Sequence, residues 1–242
     1  MRQTKPKREP PAVLFVLLAA ACLVGMESLR ERRPPRAEYE TAAPSVQPGV
    51  LDRLLATQRC SLLAVGEVDG RQALAALALG CSAVVVDTQP HCVVLFDEAA
   101  RESGFTAYEA RWAAVSAPGA EPLAVSATGC PAPAGGERVF APALELGDIV
   151  ADSDYTPTVL RVSGALAAET LRQAVPLLLE TRLVSDVFMA VRGDDMAGLS
   201  AALESAMRAG YRLTAAGGAD VTAGSLLSLL KLAPGEWWAQ RV

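Results

Sequence analysis

Short apolar runs alternate with amphipathic stretches through residues 48–242. Runs at 61–65 (SLLAV) and 82–87 (SAVVVD) predict buried strands, because a short apolar run of this length is typical of a strand covered on both faces, and 158–163 (TVLRVS) predicts another strand. The stretches 71–80 and 93–104 place apolar residues at helical intervals and end at glycines. This order of strand, helix and strand with short links predicts a parallel sheet with right-handed crossovers.

The rest of the body continues the same pattern. Residues 117–147 are rich in Pro, Gly and Ala and predict either an antiparallel excursion or a loop. Pro176 is expected to interrupt the helix that contains it. The predicted strands are 106–116, 186–193, 211–216 and an edge strand at 236–242, and the predicted helices are 50–59, 165–182 and 196–210.

The N-terminal region divides into a basic tail (1–11), an uncharged apolar segment (12–26) and a stem rich in Pro, Arg and Glu (27–47). Three interpretations of 12–26 remain open: a short single-pass signal anchor, a cleaved signal peptide, or a lipoprotein signal acylated at Cys22. We favour the anchor, a transmembrane helix that holds the basic tail in the cytoplasm and residues 48–242 in the secretory lumen or another extracytoplasmic space.

Charge and cysteine content narrow the function classes. Residues 41–242 hold 14 Lys and Arg against 22 Asp and Glu, so this acidic body is not expected to bind nucleic acid. One histidine and five cysteines without a C-x-x-C pair make a zinc site improbable. Two disulfides are possible for the body cysteines, but buried free thiols are the favoured interpretation.

The stretch LLAVGEVDG (62–70) has the outline of a nucleotide-binding turn after a strand. Gly66 and Gly70 would let the backbone approach a cofactor, and Asp87 at the end of the next strand would accept hydrogen bonds from ribose hydroxyls. A tight turn and a helix-capping Asp explain the same residues without a ligand. Val68 stands where a dinucleotide fold has its second glycine, so the spacing suits S-adenosylmethionine, which has no phosphate, better than NAD.

Taken together, residues 50–242 resemble the FkbM-type S-adenosylmethionine-dependent methyltransferases. The resemblance is carried by LLAVGEVDG, by VVVDTQPHCVVLFDEAARESGF, by ARWAAVS, by VLRVSG and by AGYRL. It implies an α/β, Rossmann-like, doubly wound and mostly parallel sheet of the class I methyltransferase type. It also implies S-adenosylmethionine as the cofactor, bound by Gly66, Glu67, Gly70, Asp87 and Thr88.

The chain departs from the family pattern at several polar positions. Ala64 replaces an aspartate of the first motif, and Ser163 replaces an aspartate of the fourth strand. The weak candidates for a catalytic role are Asp152, Asp154 and Ser163. The resemblance implies O-methylation of a glycan or small metabolite, and the departures support the alternative of an inactive methyltransferase-fold binding or scaffold module. The oligomeric state stays open.

Overall fold

The computed structural model describes residues 60–66, 70–126, 138–164, 166–191, 196–215, 220–222, 224, 226 and 235–242. The predicted anchor, stem and first helix (50–59) lie outside the described residues and stay predictions. Within the described residues, no helix is both long and apolar enough to span a membrane.

The elements follow the predicted alternation closely. The strands are β1 (Ser61–Val65), β2 (Ser82–Asp87), β3 (Tyr108–Trp112), β4 (Ala114–Val115), β5 (Leu123–Ser126), β6 (Arg138–Ala141), β7 (Ala143–Leu144), β8 (Val159–Ser163), β9 (Asp186–Val191), β10 (Tyr211–Thr214), β11 (Asp220–Val221) and β12 (Gly235–Arg241). The helices are α1 (Arg71–Ala78), α2 (Pro90–Glu102), α3 (Leu146–Ala151), α4 (Ala167–Ala174) and α5 (Met196–Arg208).

The main sheet has the order β11-β10-β12-β9-β8-β1-β2-β3. Strands β3, β2, β1, β8 and β9 are parallel to one another, and β12 lies antiparallel between β9 and β10. The chain therefore winds outward from β1 to β3 and then crosses to β8 on the other side of β1. This arrangement confirms a mostly parallel, Rossmann-like sheet, and it places the topological switch point between β1 and β8.

Helices cover the two faces of the sheet, as the apolar strands require. Leu62 and Ala64 of β1 pack with α1 and α2 on one face. Leu63 and Val65 pack with α3, α4 and α5 on the other face. Because both faces are covered, β1 is buried along its whole length, and its carboxyl end is held rigidly between its neighbours.

Four local features differ from the sequence expectations or refine them. Residues 175–179 form a π-helical turn after α4, at the point where Pro176 lacks an amide hydrogen. Strands β5 and β6 form the antiparallel excursion, whereas the sequence pattern missed α3. The prediction of an edge strand at 236–242 is wrong, because β12 lies inside the sheet with Trp237 fully buried.

The preference for free thiols is also wrong for three cysteines, Cys60, Cys81 and Cys92. Cys60, just before β1, forms a disulfide with Cys81, just before β2. The Ser82 amide donates to the Cys60 carbonyl at 3.1 Å, so the disulfide joins neighbouring strands at the amino edge of the sheet. Cys92 is disulfide-bonded as well, and Cys22 and Cys130 lie outside the described residues.

We expect the variant Cys60→Ser/Cys81→Ser to lose about 3 kcal/mol of unfolding free energy, because the disulfide closes a loop with a sequence separation of 21 residues and restricts the unfolded chain. Urea denaturation of this variant and the wild type measures the difference. An unchanged midpoint with an unchanged slope would show that the disulfide does not stabilise the fold.

Candidate functional site at the carboxyl edge of the sheet

Gly66 lies directly after β1, at the switch point. Its amide donates to the Val86 carbonyl at 2.7 Å, which continues the pairing of β1 with β2 and places Gly66 beside Asp87. The sequence prediction that Gly66 and Asp87 lie side by side at the carboxyl edge therefore agrees with the structure.

On its other side, Gly66 touches the end of β8. A Cβ atom at Gly66 would lie 2.3 Å from the Ser163 carbonyl oxygen, and the backbone φ of Gly66 is +72°. The Ser163 hydroxyl also donates a hydrogen bond to the Gly66 carbonyl. Glycine is required here because the backbones of two neighbouring strand ends meet.

Gly70 has a similar packing role at the start of α1. Its φ is +64°, and a Cβ atom there would lie 2.6 Å from Cδ2 of Phe96, a buried residue of α2. The two glycines of the predicted cofactor turn are thus explained by contacts within the chain. Glu67, between them, lies outside the described residues.

Asp87 forms the turn that leads from β2 into α2. Its side chain is 4% exposed, and its Oδ1 atom accepts a hydrogen bond from the Gln89 amide at 2.8 Å. This bond across two residues is typical of an Asx turn, and Pro90 follows at the first helical position. Asp87 therefore has a structural role whether or not it also binds a ligand.

The next strand end completes a line of residues along this edge. Trp112 of β3 lies opposite Asp87 in the parallel register, and its indole Nε1 donates to the Thr88 carbonyl at 2.9 Å. We call Trp112, Asp87, Gly66 and Ser163 the carboxyl-edge row. Trp112 lies on the edge strand of the main sheet with 40% of its surface exposed.

Asp152 and Asp154 do not belong to this row. They precede β8, and the Asp154 amide donates to Glu109 near the start of β3, so they lie at the amino edge of the sheet. The Tyr155 hydroxyl donates to the Thr106 carbonyl before β3, which fixes the same placement. Strand β8 has five residues, about 15 Å, so the structure does not bring Asp152 or Asp154 together with Ser163.

Glu109 organises that opposite edge. Its carboxylate accepts hydrogen bonds from the Arg111 guanidinium, from the Ser153 hydroxyl at 2.8 Å and from the Asp154 amide at 2.9 Å. Partial burial acts to raise the pKa of Glu109, but the bonds from Arg111, the Asp154 amide and Ser153 together outweigh burial and lower this pKa below its ordinary value of 4.5. The cluster holds the 152–155 loop against β3.

The described part of the chain also has a surface groove, which lies away from the carboxyl-edge row. A shallow groove between α2 and β3 is lined by Val94, Asp97 and Tyr108, and it contains none of the predicted site residues. Among the described residues, no group of three or more His, Cys, Asp or Glu side chains could hold a metal ion.

No protein-family model and no curated protein matches this sequence. Solved structures with remote similarity include ribosomal protein L11 methylase from Lactobacillus delbrueckii subsp. bulgaricus, at 14% identity and a TM-score of 0.44 over 79% of this chain and 75% of that chain. Precorrin-6y C5,15-methyltransferase from Geobacter metallireducens GS-15 is similar at 11% identity and 0.45, over 80% and 87%. An RNA methyltransferase from Salinibacter ruber, in complex with S-adenosyl-L-homocysteine, is similar at 17% identity and 0.32, over 59% and 74%.

We expect Gly66→Ala to destabilise the fold by several kcal/mol, because its Cβ collides with backbone that cannot move freely, in addition to the left-handed φ. The matched control is Gly80→Ala, which has a φ of +83° but no atom within 4 Å of the added Cβ, so it should cost only about 1–2 kcal/mol. Thermal and urea denaturation compare the two. Equal losses would contradict the close contact between β1 and β8.

The contacts of Glu109 at the amino edge of the sheet predict that the unfolding free energy decreases at acidic pH. The pKa of Glu109 is lower in the folded protein than in the unfolded chain. The ionised carboxylate therefore stabilises the fold at a pH above its unfolded-state pKa, and this stabilisation is lost as the pH falls through its folded-state pKa. We expect the unfolding free energy of the wild type to fall more steeply than that of Glu109→Gln as the pH is lowered from 6 to 3. Parallel curves in urea denaturation across this range would contradict the assignment.

Proposed function

We propose that this chain is a membrane-anchored, S-adenosylmethionine-dependent methyltransferase-like protein of the FkbM type, which would O-methylate a glycan or small metabolite. The observation that carries the proposal is the position of Asp87 beside Gly66 at the switch point of the sheet. In open α/β sheets, ligands bind outside the carboxyl ends of the strands at this point.

The strand order supports the class I methyltransferase type over a dinucleotide-binding fold. A dinucleotide fold continues with a sixth parallel strand beyond the fifth. Here the strand beside β9 is β12, which runs antiparallel and separates β9 from β10. This inserted antiparallel strand departs from the dinucleotide-binding order, as does Val68, which argued against a pyrophosphate cradle.

The described residues fit the nucleoside end of S-adenosylmethionine. A carboxylate at the end of β2 provides acceptors for ribose hydroxyls, and Asp87 stands there. The backbone carbonyl of Thr88 and the indole of Trp112 extend the same edge outward. This side of the row therefore offers the polar and apolar groups that a nucleoside needs.

The fit ends at Gly66. The Ser163 backbone occupies the space that a Cβ atom of Gly66 would need. The Gly66 carbonyl already accepts a hydrogen bond from the Ser163 hydroxyl. When bound, the cofactor supplies an electrophilic methyl group on a sulfonium, and the protein has to align an acceptor with it. Ser163 cannot replace a carboxylate as the base, and Asp152 and Asp154 lie at the other edge.

These contacts favour a second function, a methyltransferase-fold binding module without turnover. The disulfides point the same way, since they persist in oxidising compartments such as the secretory lumen. A domain in that space needs its methyl donor imported, whereas a binding module needs no donor. The same compartment suits the proposed glycan acceptor and the topology proposed for segment 12–26.

The ribose assignment predicts different effects for two substitutions of Asp87. Asp87→Asn keeps an acceptor for the Gln89 amide and should preserve stability, but it removes the charged acceptor and should weaken binding of S-adenosylhomocysteine about tenfold. Asp87→Ala should lose both stability and affinity. Calorimetric titration of the folded variants measures the affinities, and an unchanged affinity in Asp87→Asn would reject the ribose role.

Titration and a methyl-transfer assay on the full chain separate the two functions. Binding of S-adenosylmethionine with transfer of labelled methyl groups to a glycan or metabolite pool supports the enzyme. Binding without transfer supports the module. If the wild-type chain binds neither S-adenosylmethionine nor S-adenosylhomocysteine, both functions are wrong.

A further inference from the structure

Strand β3 forms one end of the main sheet. It pairs with β2 on one side, and no strand among the described residues pairs with its other side. All residues of β3 are half-buried or exposed. An open edge of this kind presents unpaired amides and carbonyls on which another strand can pair. The residues of β3 therefore decide which strand fits this edge.

The backbone groups of β3 alternate between β2 and the open edge. The Ala107 carbonyl accepts the Ala83 amide at 3.1 Å, and the Ala113 amide donates to the Asp87 carbonyl at 3.0 Å, so the odd-numbered positions face β2. The positions between them direct their amides and carbonyls toward the open edge. These outward positions are Tyr108, Ala110 and Trp112.

The order of residues in β3 is complementary to its own reverse. In an antiparallel pair of two copies, a two-fold axis at Ala110 sets Ala110 against its own copy and Tyr108 against Trp112 of the second copy. The same axis sets Glu109 against Arg111 of the second copy, so opposite charges meet on both sides of the axis. An axis at Glu109 or at Arg111 would set like charges against each other, which destabilises a strand pair.

The hydrogen-bonding positions agree with the same axis. Because the amide and carbonyl of Ala110 both face outward, Ala110 and its copy can exchange two hydrogen bonds across the axis. Glu109 and Arg111 of the second copy then form a non-hydrogen-bonded pair, with Cα atoms about 4.5 Å apart and side chains close together. The backbone and the charges therefore select the same register.

The charged pair has the capacity to bond across the axis. Arg111 donates from Nε and Nη2 to Glu109 of its own chain, and both side chains are 20% exposed. A guanidinium has five N–H donors, so Arg111 can bridge its own Glu109 and that of the second copy. The two copies would then form a cluster of four alternating charges.

The other face of β3 supplies apolar surface to the same pairing. Trp112 is 40% exposed, and Tyr108 lines the groove between α2 and β3 together with Val94, which is 50% exposed. The axis at Ala110 sets Trp112 of each copy against Tyr108 of the other, beside that groove. Aromatic cross-strand pairs and the burial of apolar surface both stabilise such an interface.

We propose that β3 pairs antiparallel with β3 of a second copy of this chain, about a two-fold axis at Ala110. The surface is isologous, since each residue meets its counterpart in the same way in both copies. The two main sheets then form one continuous sheet across the axis. This dimer goes beyond the proposed function and does not depend on binding of S-adenosylmethionine.

Sedimentation of the full chain in detergent measures the dimer, and Ala110→Pro tests the edge. The substitution removes an amide that faces away from β2, so the fold should be kept. We expect its dimer dissociation constant to rise about tenfold or more, because the two hydrogen bonds at the axis are lost. The control is Phe140→Ser, which removes an exposed aromatic ring on β6 and should leave the dimer unchanged.

A charge exchange tests the register. Arg111→Glu places Glu against Glu in its own dimer, and Glu109→Arg places Arg against Arg, so each variant alone should be monomeric. An equimolar mixture restores opposite charges at both positions and should form a mixed dimer. Circular dichroism checks that each variant folds, and if Glu109→Arg does not fold, the wild type and Ala110→Pro still decide the outcome.

Three results would overturn the proposed dimer. The wild type could remain monomeric at the highest concentration reached. Ala110→Pro could fold and dimerise as tightly as the wild type, which would show that the copies associate elsewhere in the chain. The two folded charge variants could remain monomeric when mixed, which would exclude the register at Ala110. None of these results bears on binding of S-adenosylmethionine, which calorimetry tests separately.

Discussion

The contact between Gly66 and Ser163 is the constraint on which the rest of this structure depends. Strands β1 and β8 are parallel neighbours at the topological switch point, and in doubly wound sheets ligands bind outside the carboxyl ends of the strands at this point. In this chain a serine hydroxyl and a backbone carbonyl of β8 press against the residue that ends β1. The contact requires glycine at position 66.

This contact divides the carboxyl-edge row into two halves. Asp87 and Trp112 form the first half, and Gly66 and Ser163, which bond to each other, form the second, filled half. On the first half, Asp87 supplies a carboxylate that also accepts the Gln89 amide, and Trp112 supplies an exposed aromatic ring that is bonded to the Thr88 carbonyl. Gly66 and Ser163 satisfy each other instead. The proposed nucleoside site uses the first half, and the described residues around the filled half supply no general base. This division is why we propose a binding module beside the proposed methyltransferase.

Much of the fold follows from the apolar pattern, because the buried strands 61–65 and 82–87 are short apolar runs. Pro176 likewise indicates the place where α4 gives way to a π-helical turn. Asp87 and Gly66 were predicted from strand ends, and Trp112 could have been found by the same rule at the end of β3. The rule also places residues that precede a parallel strand at the amino edge, which Asp152 and Asp154 obey. Pairing of Cys60 with Cys81 and insertion of β12 are long-range events that no local pattern encodes.

Hydrogen–deuterium exchange of the full chain, with and without S-adenosylhomocysteine, tests the central claim that the edge at Asp87 holds the nucleoside. We expect added protection in peptides covering 86–89 and 111–113, with no change in 152–158 at the opposite edge. Protection confined to the groove between α2 and β3, or to residues 152–158, would contradict a nucleoside site at Asp87.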